Sequence, residues 1–275
     1  MARVAELVCY PIKGCAGTSL SDAAMTSAGI AHDRAFMVVD DAGVFRSQRR
    51  DPRLALVRPE VSADGERLAL HADGVAAVEV EVRRDDTRRE VTLFGARYTG
   101  VDQGDEAARW LSEVLGVPSR LVRVPEEHDR VTDGLTPGTS GYADSTAVHL
   151  TTAASLALLN GRIAATGGAA VPMSRFRPNV VVDGWDEPHI EDRVRRVAIG
   201  DTELGYSKPA IRCAVTMVDQ GEGRRRGPEP LRTLAGYRRA AQGGVAFGVK
   251  LAVLRPGKLS VGDEVRVTSW GPSEV

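Results

Sequence analysis

Arg67-Leu68-Ala69-Leu70-His71 and then Val78-Glu79-Val80-Glu81-Val82 alternate apolar and polar side chains with a period of two. That period marks strands with one buried face, because successive side chains of a pleat point to opposite sides. Downstream, Glu90-Val91-Thr92-Leu93-Phe94 repeats the pattern. Upstream, the apolar run from Val4 to Tyr10 ends at Pro11. Ala35-Phe36-Met37-Val38-Val39-Asp40 closes on the turn Asp41-Ala42-Gly43, with Val44-Phe45-Arg46-Ser47 at hairpin distance. Short strands divided by Gly and Asp turns predict a small β-barrel or sandwich for the first part of the chain.

Asp105 to Leu115 changes the period. Ala108, Leu111 and Leu115 recur at helical spacing, and Gly116-Val117-Pro118 stops the helix. Glu126 to Ser140 is polar, rich in Gly, Pro and Asp, and aperiodic, which reads as a loop and a boundary zone. Two domains follow, 1–125 and 126–275. The second is mixed. It has a strand at Val148–Thr151, a helix capped by Thr152 running through Leu159 and ending near Gly161, and a strand at Val180–Val182. A hairpin over Val197–Leu204 turns at Gly200-Asp201. Cys213 opens a further strand, a short helix covers Leu231–Arg239, and strands at Lys250–Leu254 and Glu264–Val267 finish the chain. The expected class is mixed and β-rich (α+β): a β-barrel-like N-terminal domain, then a second β-barrel domain with peripheral helices.

Composition narrows the function. The chain has 275 residues, 43% hydrophobic and 27% charged, with a net charge of -1. That is a globular composition with no overall field to recruit nucleic acid. The one basic run, Gly223-Arg224-Arg225-Arg226-Gly227, reads as a solvated loop. No apolar run reaches the length of a membrane span, and Met1 to Cys9 lacks the apolar core of a secretory signal. Cys9, Cys15 and Cys213 are odd in number and scattered, which fits a reducing cytoplasm better than a disulfide framework, a zinc site or an iron–sulfur cluster. Phosphate-loop, dinucleotide, nucleophile-elbow and zinc-protease motifs are all lacking.

Five short stretches could carry chemistry. In Tyr10-Pro11-Ile12-Lys13-Gly14-Cys15, an ammonium beside a glycine suits an anion that approaches the backbone closely, or else marks a turn. Ile30-Ala31-His32-Asp33-Arg34 offers an acid–base histidine or a local ion pair. Tyr142-Ala143-Asp144-Ser145-Thr146 offers hydroxyls and turn N–H groups for a phosphate, or an ordinary Asx turn. Phe176-Arg177-Pro178-Asn179 sets a guanidinium and an amide on either side of a rigid proline. Arg212-Cys213 joins a cation to a thiol, which is either a small buried hydrophobe or a soft metal ligand and nucleophile. Only four lysines stand among 32 arginines, so Lys13 draws notice, as does Asn179, one of two asparagines.

Taken in order, with Thr216, Val218-Asp219 and the tail Pro256-Gly257 through Val261-Gly262-Asp263, these stretches resemble the MOSC family. The likeness is to its two-part branch with an N-terminal β-barrel domain, which includes the amidoxime-reducing components and their bacterial relatives. The resemblance covers nearly the whole chain. It implies a molybdenum cofactor, Mo-molybdopterin, lying between the two domains, with Cys213 as the protein ligand to the metal. By match, Lys13, Gly14 and Arg34 from the first domain hold the cofactor, with Asp144, Ser145, Thr146, Arg177, Asn179 and Arg212 from the second. Some relatives carry a serine where Gly14 stands and another where Ile211 stands, so two hydroxyls are missing here. The implied activity is reduction of N-hydroxylated small molecules by oxygen removal. The alternative is a sulfur carrier or cofactor-handling protein with a persulfide on Cys213. The chain has no ferredoxin domain with clustered cysteines, so a separate electron-donor protein is expected. His32 and Asp219 are possible proton relays but fit structural roles better.

Overall fold

Strand pairing, more than chain order, decides which residues share a core. The computed structural model describes residues 1–275. Its largest sheet has eight strands and mixes the two ends of the chain. Arg3–Cys9 pairs antiparallel with Val180–Asp183 and with Thr18–Leu20. The sheet continues through Val148–Thr152, Val245–Arg255, Thr202–Arg212 and Val194–Ile199 to Val265–Trp270. Its ladder is open, but its ends nearly meet. Val4 N–H donates to Asp263 O at 3.0 Å, Val265 N–H donates to Ala2 O at 2.9 Å, and Arg3 bridges Glu264. One apolar core fills this sheet. It takes Val4, Leu7, Met25 and Ile30 from the start of the chain, and Val148, Leu150, Val197 and Leu251 from the second half.

A second core gathers Ile12, Phe36, Val38, Leu54, Leu68, Leu70 and Leu121, which are the period-two strands and their neighbours. Arg67–Ala72 and Val75–Glu81 pair as a hairpin, as their alternation predicts, and bury Leu68 and Leu70 completely. The helix Asp105–Leu115 lays Ala107, Trp110, Leu111 and Val114 on this core and ends at Gly116, whose φ of 73° glycine adopts without steric cost. The first part of the chain therefore has its own core, but residues 3–9 and 18–30 are built into the other one.

Several expectations change. Val44–Ser47 is not a strand. It wedges between Phe36–Val39 and Arg88–Leu93 through two isolated bridges, Val39 to Phe45 and Val44 to Thr92. Residues 126–140 contain a two-residue hairpin, Val131–Thr132 with Gly138–Thr139. The helix beginning at Ala153 runs through Gly161 to Ala165, because Leu159 and Ile163 are fully buried in a small third core that outweighs the low helix propensity of one glycine. The helix at Leu231 stops at Leu234. Thr18–Leu20, Asp22–Thr26, Ala96–Asp102 and Arg120–Arg123 are strands with too weak a pattern to read beforehand. Cys213 does not open a strand. The strand is the upstream Thr202–Arg212, whose last pair is Arg212 with Val245. Cys213 then starts a 3₁₀ turn, Ala214–Met217, in which Thr216 N–H and Oγ1 both donate to the Cys213 carbonyl, at 3.0 and 2.9 Å. The β-branched run after Cys213 carries strand propensity, but that local hydrogen bonding overrides it.

Candidate active site

The strand ends place charge before they place anything else. Ile12–Lys13 lies parallel to Phe36–Met37, which carries Lys13 to the junction of the two cores. Arg34 precedes Phe36–Val39 in a loop where His32 and Arg34 both have left-handed φ, 66° and 49°. Arg177 has φ 55° just before Pro178. Such backbone is uncommon for a residue with a β-carbon and persists where the surroundings dictate it. Here they do. Arg34 Nη1 donates to Asp33 Oδ2 at 2.5 Å and to Asn179 Oδ1 at 3.0 Å, while its Nη2 donates to the Arg177 carbonyl at 3.2 Å. The Tyr10 ring lies between the two guanidiniums, 4.4 Å from Arg34 and 4.3 Å from Arg177. This cation–π stacking fixes both planes.

A cleft with a cavity volume of about 80 Å³ opens between the two cores. Its lining is strongly cationic: Lys13, Arg34, Arg46, Arg49, Arg177, Arg212 and Lys250 against one carboxylate, Asp144. Lys13 pairs with Asp144, whose side chain is largely exposed. Despite that exposed edge, the protein packed around the carboxyl opposes its ionisation, but the Lys13 ammonium wins and holds it well below the usual range. Burial weakens the protonated forms of Lys13, Arg177 and Arg212. Lys250, desolvated and facing Arg34 and Arg212, is pushed down to about 7. His149 is buried, with Nε2 3.1 Å from the Phe247 carbonyl, and desolvation beside Arg212 and Lys250 keeps it neutral. Nε2 therefore carries the proton given to that carbonyl.

Several donors in this wall have no protein partner. Arg46 Nε, Arg177 Nη2 and Arg212 Nε are buried without a hydrogen bond. Buried polar atoms normally find partners, so three orphaned guanidinium nitrogens around one cleft describe a site shaped for an anion. Cys213 lines the same cleft as a free, half-buried thiol, next to Ile211 and Val215. Its loop is tied down from behind: Arg175 donates to the Thr216 carbonyl at 3.3 Å and to Asp219 Oδ2 at 3.0 Å. Gln48 and Gln220 exchange amide hydrogen bonds at 2.9 and 3.0 Å, and Gln48 also donates to the Gly14 carbonyl at 2.6 Å, so the two halves are pinned at the cleft.

Of the residues picked out in sequence, Lys13, Gly14, Arg34, Asp144, Arg177, Arg212 and Cys213 line one cleft. Three do not. Thr146 is buried and donates to Ser207 Oγ at 2.8 Å. Ser145 presents its carbonyl to Ser140 Oγ at 2.9 Å. Asn179 is buried behind Arg34, donating to Asp33 Oδ1 and to the Val8 carbonyl. His32 is outside the cleft, and Asp219 is taken up by Arg175 and the N–H groups of Gly221 and Glu222. Sequence reading missed Lys250, His149, Arg46 and Arg49. Lys250 carried the same signal as Lys13, a lysine in an arginine-rich chain, but it sits mid-strand where no motif marks it.

Comparison with known proteins gives two family matches. The MOSC N-terminal beta barrel domain matches residues 1–118, and the MOSC domain matches residues 137–266. Mitochondrial amidoxime reducing component 2 of Rattus norvegicus is 34% identical over 287 residues, spanning 96% of this chain and 83% of its own length. Mitochondrial amidoxime-reducing component 1 of Homo sapiens is 30% identical, spanning 96% and 82%. Molybdenum cofactor sulfurase of Danio rerio is 32% identical over 90% of this chain but only 31% of its own length. No helix is long and apolar enough to cross a membrane.

Proposed function

The chain belongs to the MOSC family, with the N-terminal barrel domain and the MOSC domain in one polypeptide, and from that membership and its cleft we propose a molybdenum-cofactor-dependent oxidoreductase that reduces N-hydroxylated compounds by removing oxygen. The observation that carries the reading is the free Cys213 thiol in a cleft with orphaned Arg46, Arg177 and Arg212 nitrogens. A soft thiolate suits a molybdenum centre, and unpaired guanidinium nitrogens suit the phosphate and oxygen-rich edges of its pterin. The residues present therefore fit the group. When bound, the cofactor supplies the two-electron redox chemistry that cleaves the N–O bond.

The protein's share is placement. Cys213 serves as the donor to the metal. Arg177 and Arg212 grip the anionic part, Lys13 and Arg34 close it from the first domain, and Gly14 leaves room for close approach. Asp144 holds the Lys13 ammonium. Asn179 and Thr146 act behind the cleft, Asn179 by fixing Arg34 and Thr146 by bonding Ser207. Neutral His149 leaves its other ring nitrogen free as an acceptor beside the cations. Electrons reach the site from a separate donor protein. The unpaired cysteine thiols suit a reducing cytoplasm.

Molybdenum content tests the reading. Protein made in a host that supplies the cofactor should hold about one molybdenum per chain and reduce an amidoxime with a chemical reductant. Cys213→Ser should lose both while its Tm holds. Wild type free of molybdenum and inactive would refute the proposal. The half-buried position of Cys213, together with the match to a cofactor sulfurase, favours one other reading, a persulfide carried on that thiol. Cyanide-releasable sulfur on wild type, absent from Cys213→Ser, would select it.

A further inference from the structure

Arg88–Leu93 and Ala96–Asp102 form a hairpin whose Leu93–Ala96 pair leaves a two-residue loop, Phe94-Gly95. Both loop residues have positive φ, 52° and 84°. The first position of such a loop favours Asn, Asp or Gly, and a bulky aromatic there is strained. The strain is not offset by burial, since Phe94 remains 47% exposed. Its ring meets Phe45 edge-on at 4.8 Å, lies 4.9 Å from Lys13 Nζ and 5.6 Å from the Arg49 guanidinium, and lines the cleft. On the Cys213 side the cleft carries a second exposed apolar side chain, Ile211, 40% exposed, with Val215 close by in the chain. An outlier of backbone and exposure together, on the wall of a cationic cleft, points to a ligand contact.

We propose that Phe94 is a specificity-determining residue, whose ring receives the apolar carbon frame of the substrate while the N-hydroxy group is directed toward Cys213. The assignment rests on the reductase reading above. It makes the enzyme selective for N-hydroxylated compounds with a flat or bulky apolar substituent over those with a small one.

Benzamidoxime and acetamidoxime share the reacting group and differ in a phenyl for a methyl, so their ratio isolates this contact. With the molybdenum-loaded protein and a chemical reductant, Phe94→Asn should lower the benzamidoxime-to-acetamidoxime ratio of kcat/KM about tenfold. Its Tm should equal or exceed that of wild type, because asparagine suits the turn. An unchanged ratio, above all with a Tm several degrees lower, would assign Phe94 to folding and overturn the proposal. Calorimetric binding of the two compounds keeps the two readings apart. Wild type that binds benzamidoxime more tightly than Phe94→Asn does, yet turns over neither compound, refutes the reductase reading and leaves the Phe94 contact standing. Equal binding to both proteins refutes the contact whatever the turnover.

Discussion

Asn179 accepts a hydrogen bond from Arg34 Nη1 at 3.0 Å, across 145 positions of chain, and with its own amide nitrogen donates to Asp33 Oδ1 at 3.0 Å. One buried amide thus orients both members of the Asp33–Arg34 ion pair. The same Oδ1 accepts from the His149 N–H at 3.1 Å, so a residue from each half of the cleft hangs on it. Asn179→Ala would strand all of these groups without water. The expected loss is about 3 kcal/mol of stability, read by denaturant unfolding. Retained molybdenum should fall as Arg34 loses its aim. A variant as stable as wild type would show that these bonds are replaceable.

Gly141 packs against the carbonyl that Arg34 offers to Tyr142 N–H. A β-carbon on Gly141 would sit 2.7 Å from that oxygen. Backbone has little room to yield, so Gly141→Ala should cost about 2 kcal/mol. It should also displace Arg34 from the Tyr10 ring, visible as a shift of the tyrosine resonances. Unchanged stability would mean that the loop before Phe36 moves freely.

Lys250 is a half-buried charge among other cations. Its lowered pKa means that folding favours the neutral amine, so between about 7 and its ordinary value the unfolded chain binds more protons. Cofactor-free wild type should therefore gain stability as pH rises from 7 toward 10. Lys250→Met should flatten that rise and increase Tm at pH 7 by a few degrees, while weakening the binding of inorganic phosphate. Thermal scans at several pH values, with and without phosphate, check both arms.

Glu191 gives the opposite slope at lower pH. Burial, with Asp192 nearby, raises its carboxyl to about 7, although Ser155 Oγ donates to it at 2.8 and 3.0 Å. The folded state holds the proton that the unfolded state releases near 4.5, so stability falls as pH rises through that window, by up to roughly 3 kcal/mol. Glu191→Gln keeps the shape and removes the titration. Its unfolding free energy should stay nearly level from pH 5 to 7.5 while that of wild type declines.

Sequence carried much of this and missed the rest for identifiable reasons. Leu68, Leu70 and Val80 announced their strands because a half-buried pleat has a strict period, and the hairpin at Gly200-Asp201 followed from turn chemistry. Lys13, Arg34, Arg177, Arg212 and Cys213 were legible as a set through the resemblance of their short stretches, taken in order, to the MOSC family. Lys250 and His149 were not, since each stands mid-strand and owes its position in the cleft to strand pairing between distant segments. Asn179 was picked as a ligand, whereas its amide is used up within the protein. Residue type cannot separate a group that touches a ligand from one that aims it.

The near-closure at Arg3 and Glu264 has a consequence for how the molecule is made. Arg3–Cys9 can pair early with Thr18–Leu20 along its second half, but its longer partner Val180–Asp183, and the segment Gly262 to Val265 that flanks its first residues, emerge much later. Most of the chain must be synthesised while one edge of that apolar segment is unpaired, in a topology of high contact order. Lys13 and Arg34 sit just beyond it and meet Arg177 and Arg212 only when the strand docks. The cleft thus comes together late in biogenesis, and a chain shortened ahead of residue 262 would leave the start of Arg3–Cys9 open along one side.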